Sequence, residues 1–318
     1  MSRRALIALV VLAIVACALP FVVSNYRTFQ FTLVLVYAIA LLGLNILTGY
    51  NGQISLGHGA FYALGAYCTA ILMDRFGVPY WATIPVAGAV CLVVGFLFGL
   101  PALRLEGLYL ALATFALGVA TPQLLKYHLL EKWTGGVQGI VIMKPSPPFG
   151  LPLNPDQWLY FFTLAIAAVM FILGYNLIRG RIGRALVAIR DQHIAAEAMG
   201  IHNALYKSLA FSVSAMFTGV AGALGAVAVQ FVAPDSFNIF LSIVFLVGIV
   251  VGGLASIPGA LYGALFIQFV PQLAEQVSKA APWAVYGAIL LALMLVWPTG
   301  VAGGAARIQA WINTRSKS

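Results

Sequence analysis

Charge is so unevenly spaced along this 318-residue chain that eight long stretches contain no Asp, Glu, Lys or Arg: 5–26, 28–73, 76–103, 107–125, 157–178, 208–234, 236–274 and 280–306. Each is long enough to cross a bilayer, for which about 20 apolar residues suffice. The stretches 28–73 and 236–274 run to 46 and 39 residues, room for two crossings apiece. Backbone in hydrocarbon must satisfy its own hydrogen bonds, so the expected fold is all-α: a polytopic transmembrane helix bundle with about ten spans. The spans are expected near 5–23, 29–48, 54–73, 81–100, 107–125, 158–178, 209–229, 239–254, 259–274 and 283–300. With 62% apolar and 8% charged residues, against the roughly 25% charge of soluble domains, the chain is not a water-soluble globule. It reads as one membrane domain over 1–318. Met1-Ser2-Arg3-Arg4 and the apolar run behind it resemble a leader, but that run exceeds an ordinary leader core, so a retained first helix is expected.

Orientation follows from the basic residues. With the N-terminus inside, Arg3, Arg4, Arg104, Arg179, Arg181, Arg184, Arg190, Lys207, Arg307, Arg315 and Lys317 fall on the inner face. Arg27, Arg75, Lys126, Lys132, Lys144 and Lys279 fall on the outer one. Three acids lie inside and five outside, which satisfies the positive-inside rule with both termini cytoplasmic. The net charge of +9 is thus a mark of orientation beside anionic membrane lipid, and no nucleic-acid partner is expected. Two segments exceed a tight turn: a periplasmic loop over 126–157 and a cytoplasmic loop over 179–208. In the latter, Gly183 and Gly200 bracket good helix formers, so a helix near 185–199 is expected. Leu186, Ile189, His193 and Ala196 share one of its faces, which would dock on protein or lie on lipid headgroups.

Glycines and other small residues recur at spacings of three or four: Gly95 and Gly99, Gly219, Gly222 and Gly225, Gly248 and Gly252, Gly259 and Gly263. Their expected role is close helix packing. Thr48-Gly-Tyr-Asn-Gly-Gln-Ile-Ser-Leu-Gly-His58 and Gly252-Gly-Leu-Ala-Ser-Ile-Pro-Gly259 instead place glycines and polar groups between apolar runs, one in each half. Such interruptions point to broken helices lining a transport path, or to short turns at the membrane surface. Candidate path residues are Asn45, Thr48, Asn51, Gln53, Ser55, His58 and Ser256. Ser55 and His58 could share a helix face, but no third orienting acid and no G-x-S-x-G elbow accompanies them, so a polar lining or helix start is expected rather than catalysis. His128, His193 and His202 lack ligand spacing, and Cys17, Cys68 and Cys91 form no C-x-x-C pair, so no metal or other cofactor is expected. No acid lies within an expected span to couple a proton or sodium ion, and no Gly-Lys dipeptide offers a P-loop. A pore without an engine needs a partner that supplies one. A self-sufficient carrier is the rival reading, and a membrane enzyme is the remoter one.

Five strings resemble the permease subunits of ATP-binding-cassette importers for branched-chain amino acids, specifically the longer, M-type subunit. They are Gly43-Leu-Asn-Ile-Leu-Thr-Gly-Tyr-Asn-Gly-Gln-Ile-Ser-Leu-Gly-His-Gly-Ala-Phe, Leu103-Arg-Leu-Glu-Gly-Leu-Tyr-Leu-Ala-Leu-Ala-Thr, Thr134-Gly-Gly-Val-Gln-Gly, Gly183-Arg-Ala-Leu-Val-Ala-Ile-Arg-Asp and Ala195-Ala-Glu-Ala-Met-Gly. The resemblance implies ten helices in two related halves of the type II importer kind. It also implies a bacterial inner membrane, a homologous permease subunit as heterodimer partner, two cytoplasmic ATPase subunits and a periplasmic binding protein. Importer permeases carry E-A-A-x-x-x-G in the cytoplasmic loop. Here Ala195, Ala196 and Gly200 match, while Ile194 stands in place of the glutamate. Arg184, Arg190, Asp191, Ala195, Ala196, Glu197 and Gly200 are the candidates for ATPase coupling. The cargo implied is leucine, isoleucine and valine, with other amino acids, urea, short amides or aromatic acids as alternatives.

Overall fold

The structure is a computed structural model that describes residues 14–102, 105, 107–148, 152–279 and 281–315. The start of the first expected span, and Arg3, Arg4, Arg104, Glu106 and Lys317 of the charge pattern, lie outside the described residues. The described helices begin with α1, over residues 14–22. It is followed by α2 (Asn25–Asn45), α3 (His58–Phe76), α4 (Tyr80–Ala102), α5 (Leu108–Leu125) and the short α6 (His128–Thr134). Then come α7 (Pro155–Arg179), α8 (Arg181–Asp191), α9 (His193–Ala198) and α10 (Asn203–Val229). The last four are α11 (Ile239–Gly252), α12 (Ile257–Val277), α13 (Pro282–Val296) and α14 (Gly300–Arg315).

Among the described residues, which leave out most of the first expected span, seven helices are long and apolar enough to cross a membrane, or eight if the bent pair α13–α14 counts as one span. α3 is not among the seven. It carries His58, two tyrosines and Thr69, and most of its residues are buried against protein. A helix walled in by other helices has no need of a lipid-like composition.

α10 is the central post, packed against α2, α3 and α4. Its glycines and alanines let those neighbours approach to backbone contact, which drives association where lipid offers no hydrophobic force. A Cβ on Gly219 would collide with Cys91, one on Gly222 with the Tyr62 backbone, and one on Gly95 with Ala215. Gly252 lies on Gly259 and Gly248 on Gly263, so α11 and α12 form a tight hairpin that lies against α2. The packing role expected of these small residues is therefore what the structure shows. Serines add register: Ser212 Oγ donates to the Leu92 carbonyl at 2.6 Å and Ser214 Oγ to the Gly43 carbonyl at 2.6 Å. Each such bond contributes about 0.6 kcal/mol in a membrane bundle, so they fix alignment more than stability.

The 126–157 segment is structured rather than a plain loop. Within it β1 (Ile140–Val141) pairs antiparallel with β2 (Phe231–Val232), in register Ile140↔Val232, and Lys126 forms an ion pair with Asp235. The two segments that follow α5 and α10 are thereby tied together.

The 179–208 segment differs from the single helix expected over 185–199. Helix begins earlier, at Arg181, and breaks at Gln192, whose φ of −156° and ψ of 91° are extended; α9 is a separate short helix. Leu186, Ile189 and Ala196 of the expected docking face are buried against this chain, while His193 is exposed.

Candidate functional site

α2 does not end cleanly. After Asn45 the chain widens into a π-helical turn, Ile46–Tyr50, and residues 51–57 run without helix to the start of α3. Gly52, at φ +75°, permits the reversal. Asn51, Gln53 and Ser55 turn inward and are buried, while Gly52 and Ile54 between them are exposed, so the inward polar groups look to one another for partners. Thr48 Oγ1 donates to the Gln53 carbonyl at 3.0 Å, Gln53 N–H to the Leu47 carbonyl at 3.1 Å, and Asn51 Nδ2 to Gln53 Oε1 at 2.7 Å. The exposed donors at the start of α3 are met by hydroxyls from three elements. Ser55 Oγ accepts from Gly57 N–H, Thr114 Oγ1 of α5 from Leu56 N–H, and Ser242 Oγ of α11 from Gly59 N–H. Thr114 lies six residues into α5 and Ser214 eleven into α10, so α3 begins deep within the bundle.

His58 joins three helices. Its Nδ1 lies 2.9 Å from Ser55 Oγ and its Nε2 2.6 Å from Ser214 Oγ. Ser214 spends its own proton on the Gly43 carbonyl, so it accepts from His58 Nε2–H. Nδ1 then accepts from Ser55 Oγ–H, which fixes a neutral imidazole in one tautomer. The expected proximity of Ser55 and His58 is present, but both side chains are buried and committed to the fold.

The second interruption lies between α11 and α12. Gly253 adopts φ +120°, a conformation closed to other residues, and Ser256 Oγ caps α12 by accepting from Gly259 N–H. The two interruptions touch each other. Asn45, fully buried, donates from Nδ2 to the Ser256 carbonyl at 2.8 Å and accepts at Oδ1 from Ala255 N–H at 2.9 Å. A Cβ on Gly49 would meet the Ala255 backbone at 2.5 Å. The α13–α14 bend joins the same junction, since a Cβ on Gly300 would meet the Gly253 backbone at 2.5 Å.

The α8–α9 loop reaches this junction through Arg190, whose NH1 donates to the Gly49 carbonyl at 2.9 Å while Nε and NH2 hold Asp191. Its stem lies over Gly52, where a Cβ would come within 2.8 Å of Arg190 Cγ. Asn51, Gln53, Arg190, His193 and Lys207 border a cavity of about 160 Å³ beside it. Of the other loop candidates, Arg184 donates to the Arg179 carbonyl at 3.2 Å and Glu197 accepts from Asn203 at 3.2 Å. Ala195 and Gly200 are exposed, Gly200 at φ +85°, whereas Ala196 is only 4% exposed.

Four parts of this arrangement are missing from the candidates named from sequence: the hydroxyls of Thr114, Ser214 and Ser242, and the Gly300 junction. The hydroxyls are lone polar atoms in apolar runs, a faint signal. Trp297-Pro298-Thr299-Gly300 was the better clue, because proline followed by glycine inside an apolar stretch marks a break.

Comparison with known proteins gives these interruptions a family. Residues 26–297 match the family described as branched-chain amino acid transport system / permease component. The high-affinity branched-chain amino acid transport permease LivM of Escherichia coli K12 is 34% identical, over 92% of this chain and 74% of the relative. LivM of Salmonella typhimurium LT2 is 33% identical over the same shares. BraD of Pseudomonas aeruginosa is 26% identical, over 84% of this chain and 91% of the relative. The match takes in both interruptions, the junction between them and the α8–α9 loop, and the chain belongs to the branched-chain amino acid transport permease family.

Proposed function

We propose that this chain is one of two homologous permease subunits of an ATP-driven importer that passes branched-chain amino acids across the bacterial inner membrane. A periplasmic binding protein delivers the cargo, and two cytoplasmic ATPase subunits drive the conformational change. The contact from Arg190 to the Gly49 carbonyl carries this reading. It joins a cytoplasmic loop, where an ATPase would push, to the end of a broken helix, which in turn grips the second break through Asn45. Force applied to the loop has a direct route to both interruptions.

The surface offered to an ATPase is the exposed side of α9. Ile194 is 70% exposed and Met199 85% exposed, and Ala195 and Glu197 lie beside them. Apolar side chains held that far out on a polar loop suit a protein partner better than water. Arg184, Ala196 and Gly200 then shape the loop, and Arg190 with Asp191 ties it to the bundle. Both termini and this loop are cytoplasmic in the proposed topology, with 126–157 periplasmic. Of the path candidates, Asn51 and Gln53 border open space, whereas Asn45, Thr48, Ser55, His58 and Ser256 hold the interruptions in shape.

Cargo is tested by uptake into vesicles that contain the whole transporter, with ATP and the binding protein. Labelled leucine, isoleucine and valine are expected to accumulate, and urea, acetamide and phenylacetate to remain at background. Accumulation of one of the latter without the former would replace the amino-acid assignment.

A further inference from the structure

Three glutamines stand four residues apart on α12, at 268, 272 and 276, with Glu275 three residues on from Gln272 and Lys279 just past the end of the helix. The four-residue spacing keeps the glutamines on one face. α12 is one of the seven helices able to span a membrane. Gln268 lies eleven residues from its start, about 17 Å along a helix of about 31 Å, hence near mid-depth where no headgroup is within reach. Gln268 is half-buried and makes no side-chain hydrogen bond among the described residues. An amide facing hydrocarbon without a partner costs several kcal/mol, so this face does not look onto lipid tails.

The neighbouring residues describe what it does look onto. Gln272 Oε1 accepts from Gln30 Nε2 of α2 at 2.7 Å, and Gln30 is buried, so one end of the Gln272 amide is committed and the other is left over. Beyond it opens a groove of about 600 Å³, bounded by Tyr26, Gln272, Glu275, Gln276, Lys279 and Pro282. Glu275 and Lys279 both border this groove, and no ion pair joins them among the described residues.

We propose that the Gln268–Gln272–Gln276 face of α12 is the wall that this chain contributes to the water-filled path, and that its side chains touch a zwitterionic amino acid in transit. The inference rests on the permease reading above. The chemistry suits such a cargo. A carboxylate and an ammonium at the mouth complement the two charges of a zwitterion, and uncharged amides deeper in exchange hydrogen bonds with it without trapping it. This places the path on a different helix face from the polar residues of the two interruptions, most of which are occupied within the fold.

The test uses the complete transporter, with Cys17, Cys68 and Cys91 replaced and one cysteine introduced at Gln268, Gln272 or Gln276. Val93 of α4 and Val169 of α7, which are exposed and near mid-helix, provide lipid-facing controls. Membrane-impermeant methanethiosulfonate is applied from the periplasmic side of right-side-out vesicles. The proposal predicts that Gln268→Cys reacts at least tenfold faster than Val93→Cys and Val169→Cys, that leucine-loaded binding protein slows this reaction, and that modification blocks uptake. Reaction at Gln268→Cys no faster than at the controls, in a parent transporter that still imports leucine, would overturn the proposal and leave the permease reading intact. A parent that labels as expected but imports no amino acid would instead count against the assigned cargo.

Discussion

Asn45 holds the interrupted region together at the scale of a single residue. Its amide supplies one donor and one acceptor to backbone groups of the second break, and both ends are out of reach of water. Asn45→Ala leaves the half-buried Ala255 N–H and Ser256 carbonyl without this partner, at about 1 kcal/mol for each bond lost. Asn45→Asp keeps the acceptor but sets a carboxylate against the Ser256 carbonyl, so it is expected to destabilise at least as much. Thermal unfolding of the detergent-purified permease pair checks both, with melting points below the parent expected. An unchanged melting point for Asn45→Ala would mean that the two breaks do not depend on this clasp. At this scale the sequence was informative about which residue types mattered and silent about their partners. Ser55 and His58 could be paired from their spacing, but Ser214 lies 156 residues away from His58 and nothing local announces it.

At the scale of elements, the α8–α9 loop and the α2 break act as one unit. Arg190 closes that unit, so Arg190→Ala is expected to leave the transporter assembled and hydrolysing ATP while import per ATP falls severalfold. Arg190→Lys, which restores the charge but not the fork that holds Gly49 and Asp191 together, should recover only part of the loss. Reconstituted liposomes in which hydrolysis and uptake are measured together give the ratio, and an unchanged ratio for Arg190→Ala would sink the coupling role. The partner surface has its own test. Ile194→Glu, at an exposed position, is expected to abolish co-purification of the ATPase subunits at matched permease abundance. Ala196 is a poorer probe, because this chain already buries it and a larger side chain would disturb the loop from within. The glycines at 183 and 200 made the loop helix legible, but not its break at Gln192. The weak helix formers Asp191 and His193 flank that residue without marking a stop, and α8 ends there with Leu186 and Ile189 buried.

The whole molecule is a bundle whose outer helices present apolar side chains outward and whose inner helices are held by small residues and hydroxyls. That contrast explains both the success and the shortfall of reading spans from charge-free stretches. Lipid-facing helices such as α4 and α7 must be apolar along their length, and the sequence shows them plainly. α3 is mostly buried against protein and carries a weaker apolar signal, so the number of crossings is not readable from hydropathy alone. Topology is checked by cysteines at Ser146, in the segment between α6 and α7, and at Ile194. An impermeant maleimide added to permeabilised-outer-membrane cells should label the first and spare the second until the inner membrane is opened. The opposite pattern would invert the orientation and detach Arg190 from any cytoplasmic engine. The central claim is that this chain forms a path and other subunits supply the energy, and leucine uptake into liposomes tests it most directly. The complete transporter with internal ATP and external binding protein should accumulate leucine against its gradient, and the permease pair alone should accumulate none under an imposed proton or sodium gradient. Gradient-driven accumulation by the permease pair without ATPase subunits would contradict the account.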